Sequence, residues 1–565
     1  MREIVHTWWR NRDSNVLIAG ARCYDDVVHS ELARDLGLLR EMASNTASPI
    51  GVKLRNVENL HDSPSGTGKL ARITPAGASS TLAGIPPFAA LETRYGRPLK
   101  VAILSDFIRI PYANGAAFQT RFLYQELRRC GHQVTLFGPN DPDAKPEEIP
   151  EGTVALPSLP LKTYPGVNIP MPLAKWVFDP SRWDFDVCFA QTTSLLLEFG
   201  VWMRKMKGIP LLSVNTTHLA AAYDVLLPEK LSKIDAVHTG LELTLKRPFE
   251  KLFAGIYNES DGLVVLSEGL KDYWRERGVT VPIHVIPRAV QPQIFDRPLG
   301  ADPYTHLGPM TSGPRLLCAG RHTREKSQDR VIRIFADHIL PSIPDSTLTV
   351  LGDGPDTEYY RRVAVESGVG DRVFFPGEVP FTAMPDFYAY ADVFVHASLS
   401  ETYGNVMGEA LWCGTPTVAF ADGMGVSSQI TDGSNGVLLS PGARANDVES
   451  FMQADAAFGR KVIELLRDPT LRSRLGQAAA KRSRERCSPR AIEQKIAEAF
   501  VHAQEHAAAC GLRPAVTRPK AMQWFTTFQH FRPWATVMSG VYLFGHLRPA
   551  KVKVEKALLH PQIGS

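Results

Sequence analysis

The 565-residue chain lacks any apolar run of about 18 residues, so the sequence pattern holds no membrane-spanning helix. It is also poor in cysteine. The seven residues (23, 130, 188, 318, 413, 487 and 510) are odd in number and scattered singly. That excludes a disulfide framework and a zinc cluster, and it points to reduced thiols in a cytosolic protein. Excess charge of one sign is missing too: the formal net charge is +4, which gives no nucleic-acid footprint. The basic start "MREIVHTWWRNRDSN" has no apolar core of signal-peptide length behind it. What is present is an ordinary globular composition, 44% hydrophobic and 22% charged, on a chain long enough for two or three domains.

Residues 1–97 read as an extension and linker, with "SPSGTGKLARITPAGASST" rich in Ser, Gly, Thr and Pro. From 98 to 297, short apolar runs alternate with helical patterns: "LKVAILSDF", "QVTLFGP", "DFDVCFAQ", "IPLLSVNTT", "DGLVVLSEGL" and "IHVIPRAV". A Gly/Pro-rich break at 298–314 follows, and the alternation restarts over 310–485 with "RLLCAGR", "STLTVLGDG", "RVFFPGEV", "ADVFVHAS", "TPTVAF" and "GVLLSPG". Uniformly apolar strands separated by helices indicate parallel sheets covered on both faces. The fold class is therefore α/β, two doubly wound domains in tandem, with ligands outside the carboxyl ends of the strands. Helical segments from 447 to 506 are expected to close the second domain, and 486–565 ends in a tail containing "AMQWFTTFQHFRPW".

One stretch carries the chemistry. "SLSETYGNVMGEALWCGTP" (398–416) follows a strand and holds Glu401 and Glu409, eight positions apart. Glu401 falls in the loop, and Glu409 lies about one turn into the next helix. The free N–H groups of that helix start, with the helix dipole, form an anion site. A carboxylate at Glu409 suits a ribose, and Glu401 suits a second polyol, so the two acids bracket a diphosphate. "GRHTREK" (320–326) adds Arg321, Arg324 and Lys326, of which Arg321 and Lys326 are the chosen phosphate ligands. Taken alone, Glu401 reads equally as a helix-start acid, and "DFD" (184–186), which precedes a strand, as turn chemistry.

Together with "LGDGP" (351–355), "FFPGEV" (374–379) and "DGSNGVLLSPG" (432–442), these segments resemble, in order, the retaining glycosyltransferases of family 4. The resemblance covers about residues 98–485. It implies the GT-B fold, two Rossmann-like domains facing a central cleft, with the donor held mainly by the C-terminal one. It implies that Arg321 and Lys326 bind the diphosphate and that Glu401, with the backbone of Tyr403, Gly404 and Asn405, holds the sugar. Glu409 would hold the ribose, and Glu378 and Val379 the base. In the N-terminal domain Gly115 would let the backbone approach the phosphate, and His218 of "NTTHLAAAY" would sit near the reacting carbon. His218 alone reads as a structural histidine. "IPRAVQPQIF" departs from the family's asparagine–glycine version after the proline.

The expected reaction is transfer of a hexosyl group from a UDP-sugar, UDP-glucose by default, with retention and without cofactor or metal. The first loop and helix, "PYANGAAFQTRFLYQELRRCGHQV", resemble the branch that glycosylates diacylglycerol, which implies a glycerolipid acceptor. A polysaccharide or soluble acceptor is the alternative, and a non-catalytic nucleotide-sugar binding protein is a further one. Trp524, Phe528 and Phe531 at helical spacing, beside His530 and Arg532, suit a bilayer interface and peripheral membrane contact; packing back across the domains accounts for them equally well.

Overall fold

The computed structural model describes residues 85–108, 115–141, 144–160, 168–170, 177, 179–192, 194–215, 247–308, 313–442 and 448–511. The chain divides into two units, Met1–Thr81 and Leu82–Ser565, and only the second contains described residues.

The first sheet has the order β3-β2-β1-β6-β7-β8-β9. Its strands are β1 (Lys100–Ser105), β2 (Gln133–Pro139), β3 (Val154–Leu156), β6 (Val187–Gln191), β7 (Leu211–Val214), β8 (Gly262–Val265) and β9 (Ile283–Val285). All its pairings are parallel. β4 (Ser158–Pro160) and β5 (Asn168–Pro170) form a separate antiparallel pair. The second sheet, also parallel, has the order β12-β11-β10-β13-β14-β15. It contains β10 (Arg315–Ala319), β11 (Thr347–Leu351), β12 (Val373–Gly377), β13 (Val393–His396), β14 (Thr417–Phe420) and β15 (Val437–Leu439). β1, β6, β7, β8, β10, β11, β13 and β14 are buried almost without a break, as strands covered on both faces must be.

In the second sheet the chain order reverses between β10 and β13, where Leu316 pairs with Val393 and Leu317 with Phe394. The loops leaving these two strands therefore diverge to opposite faces and leave a crevice between them. "GRHTREK" follows β10, and Ser398–Gly404 follows β13. This topological switch point sets the position of the candidate site.

Among the described residues, three helices follow β15. Val448–Arg467 and Pro469–Cys487 pack on the second sheet, burying Phe458, Val462, Leu465 and Leu475. The third, Pro489–Ala509, corrects the expectation that segments to 506 all close the second domain. It returns to the first sheet, burying Ile492, Ile496, Phe500 and Ala503 among Phe88, Phe189 and Leu212. The Phe189 and Phe500 rings meet edge-on with centroids 6.1 Å apart. Ile492, Ile496 and Phe500 each contribute about 1.5–3 kcal/mol on burial there, which fixes the helix against the first sheet. A polar anchor adds to this. His506 Nδ1 lies 3.1 Å from Asp261 Oδ1, and the same buried carboxylate accepts from Arg204 Nε at 2.8 Å and Leu211 N at 2.9 Å.

Candidate functional site

The site is built on the helix Asn405–Cys413. Its N-cap is Gly404, whose φ of 79° lies in the left-handed region open to glycine without strain. The helix therefore starts at Asn405, and no side chain caps its first N–H groups. These groups and the dipole make the anion-binding end.

Glu401 is buried at 8% exposure. Lys326 Nζ donates to its Oε1 at 2.7 Å, which joins the two loops across the switch point. His396, buried at the end of β13, places Nε2 at 3.4 Å from the same oxygen without hydrogen-bond geometry. Burial alone would raise the Glu401 carboxyl. The charge of Lys326, with His396 beside it, outweighs burial and holds it well below the usual carboxylate range. Glu401 is thus an anion fixed in place, able to accept hydrogen bonds from hydroxyl groups.

Glu409 has a different setting. The residue keeps some exposed surface, yet its carboxyl lies deep among protein atoms. Its described hydrogen bond comes from Tyr388 Oη at 2.9 Å. Burial pushes the carboxyl up to about 7, against the opposing effect of that bond. The two acids of one motif are set apart by environment: one permanently ionised, the other poised near neutrality.

Among the cations, Arg324 is held elsewhere: its Nε lies 3.2 Å from Asp356 Oδ1 and its guanidinium sits 3.3 Å from the Tyr359 ring centroid. Arg321 is exposed in the same loop. The loop is tied to its surroundings by His322 N donating to Asp353 O at 3.0 Å and by Ser398 Oγ donating to Glu325 O at 3.3 Å. Tyr403 is buried, with its Oη 3.1 Å from Cys487 Sγ, so its backbone rather than its ring is available to a ligand. Asn405 is half-buried at the helix start. Glu378 is exposed and Val379 half-buried just beyond β12. Gly115 opens the helix Gly115–Arg129. His218 lies outside the described residues.

Sequence reasoning missed Gln429. Its buried amide Nε2 donates to the Tyr403 carbonyl, and to those of Gly404 at 3.3 Å and Gly425 at 3.4 Å. Gly425 N in turn donates to Glu401 O at 2.9 Å. A Cβ at Gly425 would stand 2.6 Å from Glu401 O and 2.6 Å from Tyr403 Cα, so only glycine permits this approach. The loop before Gln429 therefore braces the acid-bearing loop from behind. No motif marks a neutral amide in a short helix; its one signal is its place just beyond two glycines. His396 was legible only as a lone titratable residue in an apolar strand.

Residues 113–294 match the family described as Glycosyltransferase Family 4, and residues 307–482 match Glycosyl transferases group 1. Alpha-monoglucosyldiacylglycerol synthase of Streptococcus pneumoniae is 28% identical over 335 residues, 57% of this chain and 71% of that protein. A GDP-mannose-dependent alpha-(1-6)-phosphatidylinositol monomannoside mannosyltransferase of Mycolicibacterium smegmatis is 32% identical over 172 residues, 29% of this chain and 42% of that one. The fold is shared with the Anabaena HepE protein, solved in complex with UDP and glucose: TM-score 0.53 at 18% identity, over 71% of this chain and 99% of that one. It is shared also with sucrose-phosphate synthase of Thermosynechococcus elongatus: TM-score 0.53 at 21% identity, over 71% and 98%. Two parallel sheets in tandem, the paired acids at the switch point of the second, and these matches converge: the chain is a glycosyltransferase of family 4 with the GT-B fold.

Proposed function

We propose that the enzyme transfers a hexosyl group from a UDP-sugar, UDP-glucose by default, to a membrane glycerolipid, with retention of anomeric configuration. The observation that carries this reading is the Lys326–Glu401 pair at 2.7 Å beside an uncapped helix N-terminus, with Glu409 one turn further on. The pair offers an acceptor for sugar hydroxyls and a cation for phosphate, and Glu409, inside the helix Asn405–Cys413, offers a carboxylate for ribose hydroxyls. Charge developing on the leaving diphosphate is met by Arg321, Lys326 and the helix end, so no divalent ion is needed. The family resemblance assigns Glu378 and Val379 to the base and Gly115 and His218 to the donor; His218 lies outside the described residues. The acceptor is drawn from the pneumococcal relative, named for making a glucosylated diacylglycerol. The reaction runs at a membrane surface by peripheral contact; no helix among the described residues is long and apolar enough to cross a bilayer.

Other relatives are named D-inositol 3-phosphate glycosyltransferase, which favours a small soluble acceptor as the second reading. The test is incubation of the full chain with labelled UDP-glucose or GDP-mannose, in the presence of diacylglycerol vesicles or inositol phosphate. Labelled glycolipid from UDP-glucose is expected, with the product anomer the same as the donor. Arg321→Ala and Glu401→Ala should abolish transfer while the protein stays folded; full activity in either removes the assignment.

A further inference from the structure

The linker that leads from β9 toward the second sheet carries an arginine with no ion-pair partner among the described residues. Arg288 stands where the family resemblance calls for an uncharged asparagine. The backbone around it is pinned on both sides. Ile286 N donates to Val265 O at 2.9 Å, Ala289 N to Gln119 Oε1 at 3.4 Å and Val290 N to Cys487 O at 3.0 Å. Although the residue keeps some exposure, its Nε is buried and donates to no acceptor among the described residues, and no ion pair there includes it. Burial lowers its guanidinium to about 10, and the ionisable groups that oppose this are Tyr403 and Glu401 of the acid-bearing loop.

A buried cation without a partner costs several kcal/mol, and folded proteins keep such groups where a ligand completes them. Glu401 does not complete it: no hydrogen bond or ion pair joins the two among the described residues, and its Oε1 takes the Lys326 ammonium at 2.7 Å. One fixed anion thus faces two fixed cations, Lys326 and Arg288. We propose that Arg288 is a donor-binding residue, its guanidinium gripping the diphosphate of the nucleotide-sugar from the linker side, opposite Lys326. This rests on the reading that the ligand is a nucleoside-diphosphate sugar. A planar fork suits two phosphate oxygens at once, which an asparagine at this place does not.

The experiment compares wild type with Arg288→Met and Arg288→Lys by calorimetric titration of UDP, GDP, uridine and inorganic pyrophosphate, together with melting of the unliganded proteins. Arg288→Met should weaken UDP and pyrophosphate about ten- to a hundredfold. Uridine binding should be unchanged, and Arg288→Lys should recover part of the loss. Unliganded Arg288→Met should melt no lower than wild type, since a buried unpaired charge has been removed. Unchanged UDP affinity in Arg288→Met, or equal losses for UDP and uridine, overturns the proposal and leaves the donor reading intact. Arg288-dependent pyrophosphate binding without UDP binding supports it while removing the UDP donor. A wild type that binds none of the phosphates removes both.

Discussion

Glu409 offers the sharpest quantitative test of the site, because its environment ties proton binding to both stability and nucleotide affinity. Its carboxyl moves from an ordinary value of 4.5 to about 7 on folding. Between those values the folded protein holds a proton that the unfolded chain has released. Stability therefore falls as pH rises through this interval, by about 1.4 kcal/mol per pH unit and about 3 kcal/mol in all, and levels off above it. Glu409→Gln keeps the shape and cannot ionise, so its melting profile should lack this contribution. Glu493, pushed up to about 7 by burial, adds a similar slope to both proteins, so the difference between the two profiles is the quantity to read. Ribose hydroxyls donating to Glu409 favour its ionised form. UDP affinity in wild type should then rise up to about tenfold per pH unit below 7, with a proton released on binding, and be flat in Glu409→Gln. Calorimetric melting and titration from about pH 5 to about pH 8 decide it. Parallel profiles for the two proteins would refute the assignment of the raised carboxyl to Glu409.

Two further outcomes concern the brace behind the acid-bearing loop. Gly425→Ala forces a methyl group to 2.6 Å from two backbone atoms, so a loss of about 1–3 kcal/mol in thermal stability is expected, with donor affinity falling as Glu401 shifts. Gln429→Glu replaces the amide that serves the carbonyls of Tyr403, Gly404 and Gly425 with a carboxylate. It should cost about 1–3 kcal/mol at neutral pH, recovering in acid as the new carboxyl takes a proton, measured by the same melting series.

All twelve strands expected from apolar runs are present, because burial on both faces forces a continuous hydrophobic stretch that composition reveals directly. Several of the expected runs are too long at their carboxyl ends. "IHVIPRAV", for example, is strand only over Ile283–Val285, since a buried linker is as apolar as the strand it leaves. β3, β4 and β5, of three residues each, escaped notice: no period shows over so short a span, and prolines sit in two of them. The paired acids were legible because a strand, a loop and a helix follow one another in sequence. Their opposite protonation was not, since it depends on Lys326, 75 positions from Glu401, and on the burial of Glu409 by the folded chain. The destination of Pro489–Ala509 was illegible for the same reason: an apolar helix face announces burial, not against which sheet.

That returning helix changes the mechanics of the enzyme. The chain passes between the sheets once through Ile286–Gln291 and again at Cys487–Pro489, and the two passages are bonded to each other by Val290 N and Cys487 O at 3.0 Å. Two passages held together in this way tie the two halves at a seam, so a displacement of either half reaches both passages at once. Arg288 lies within the first passage, and Tyr403 is joined to the second through Cys487 Sγ at 3.1 Å, which fastens the acid-bearing loop to the same seam.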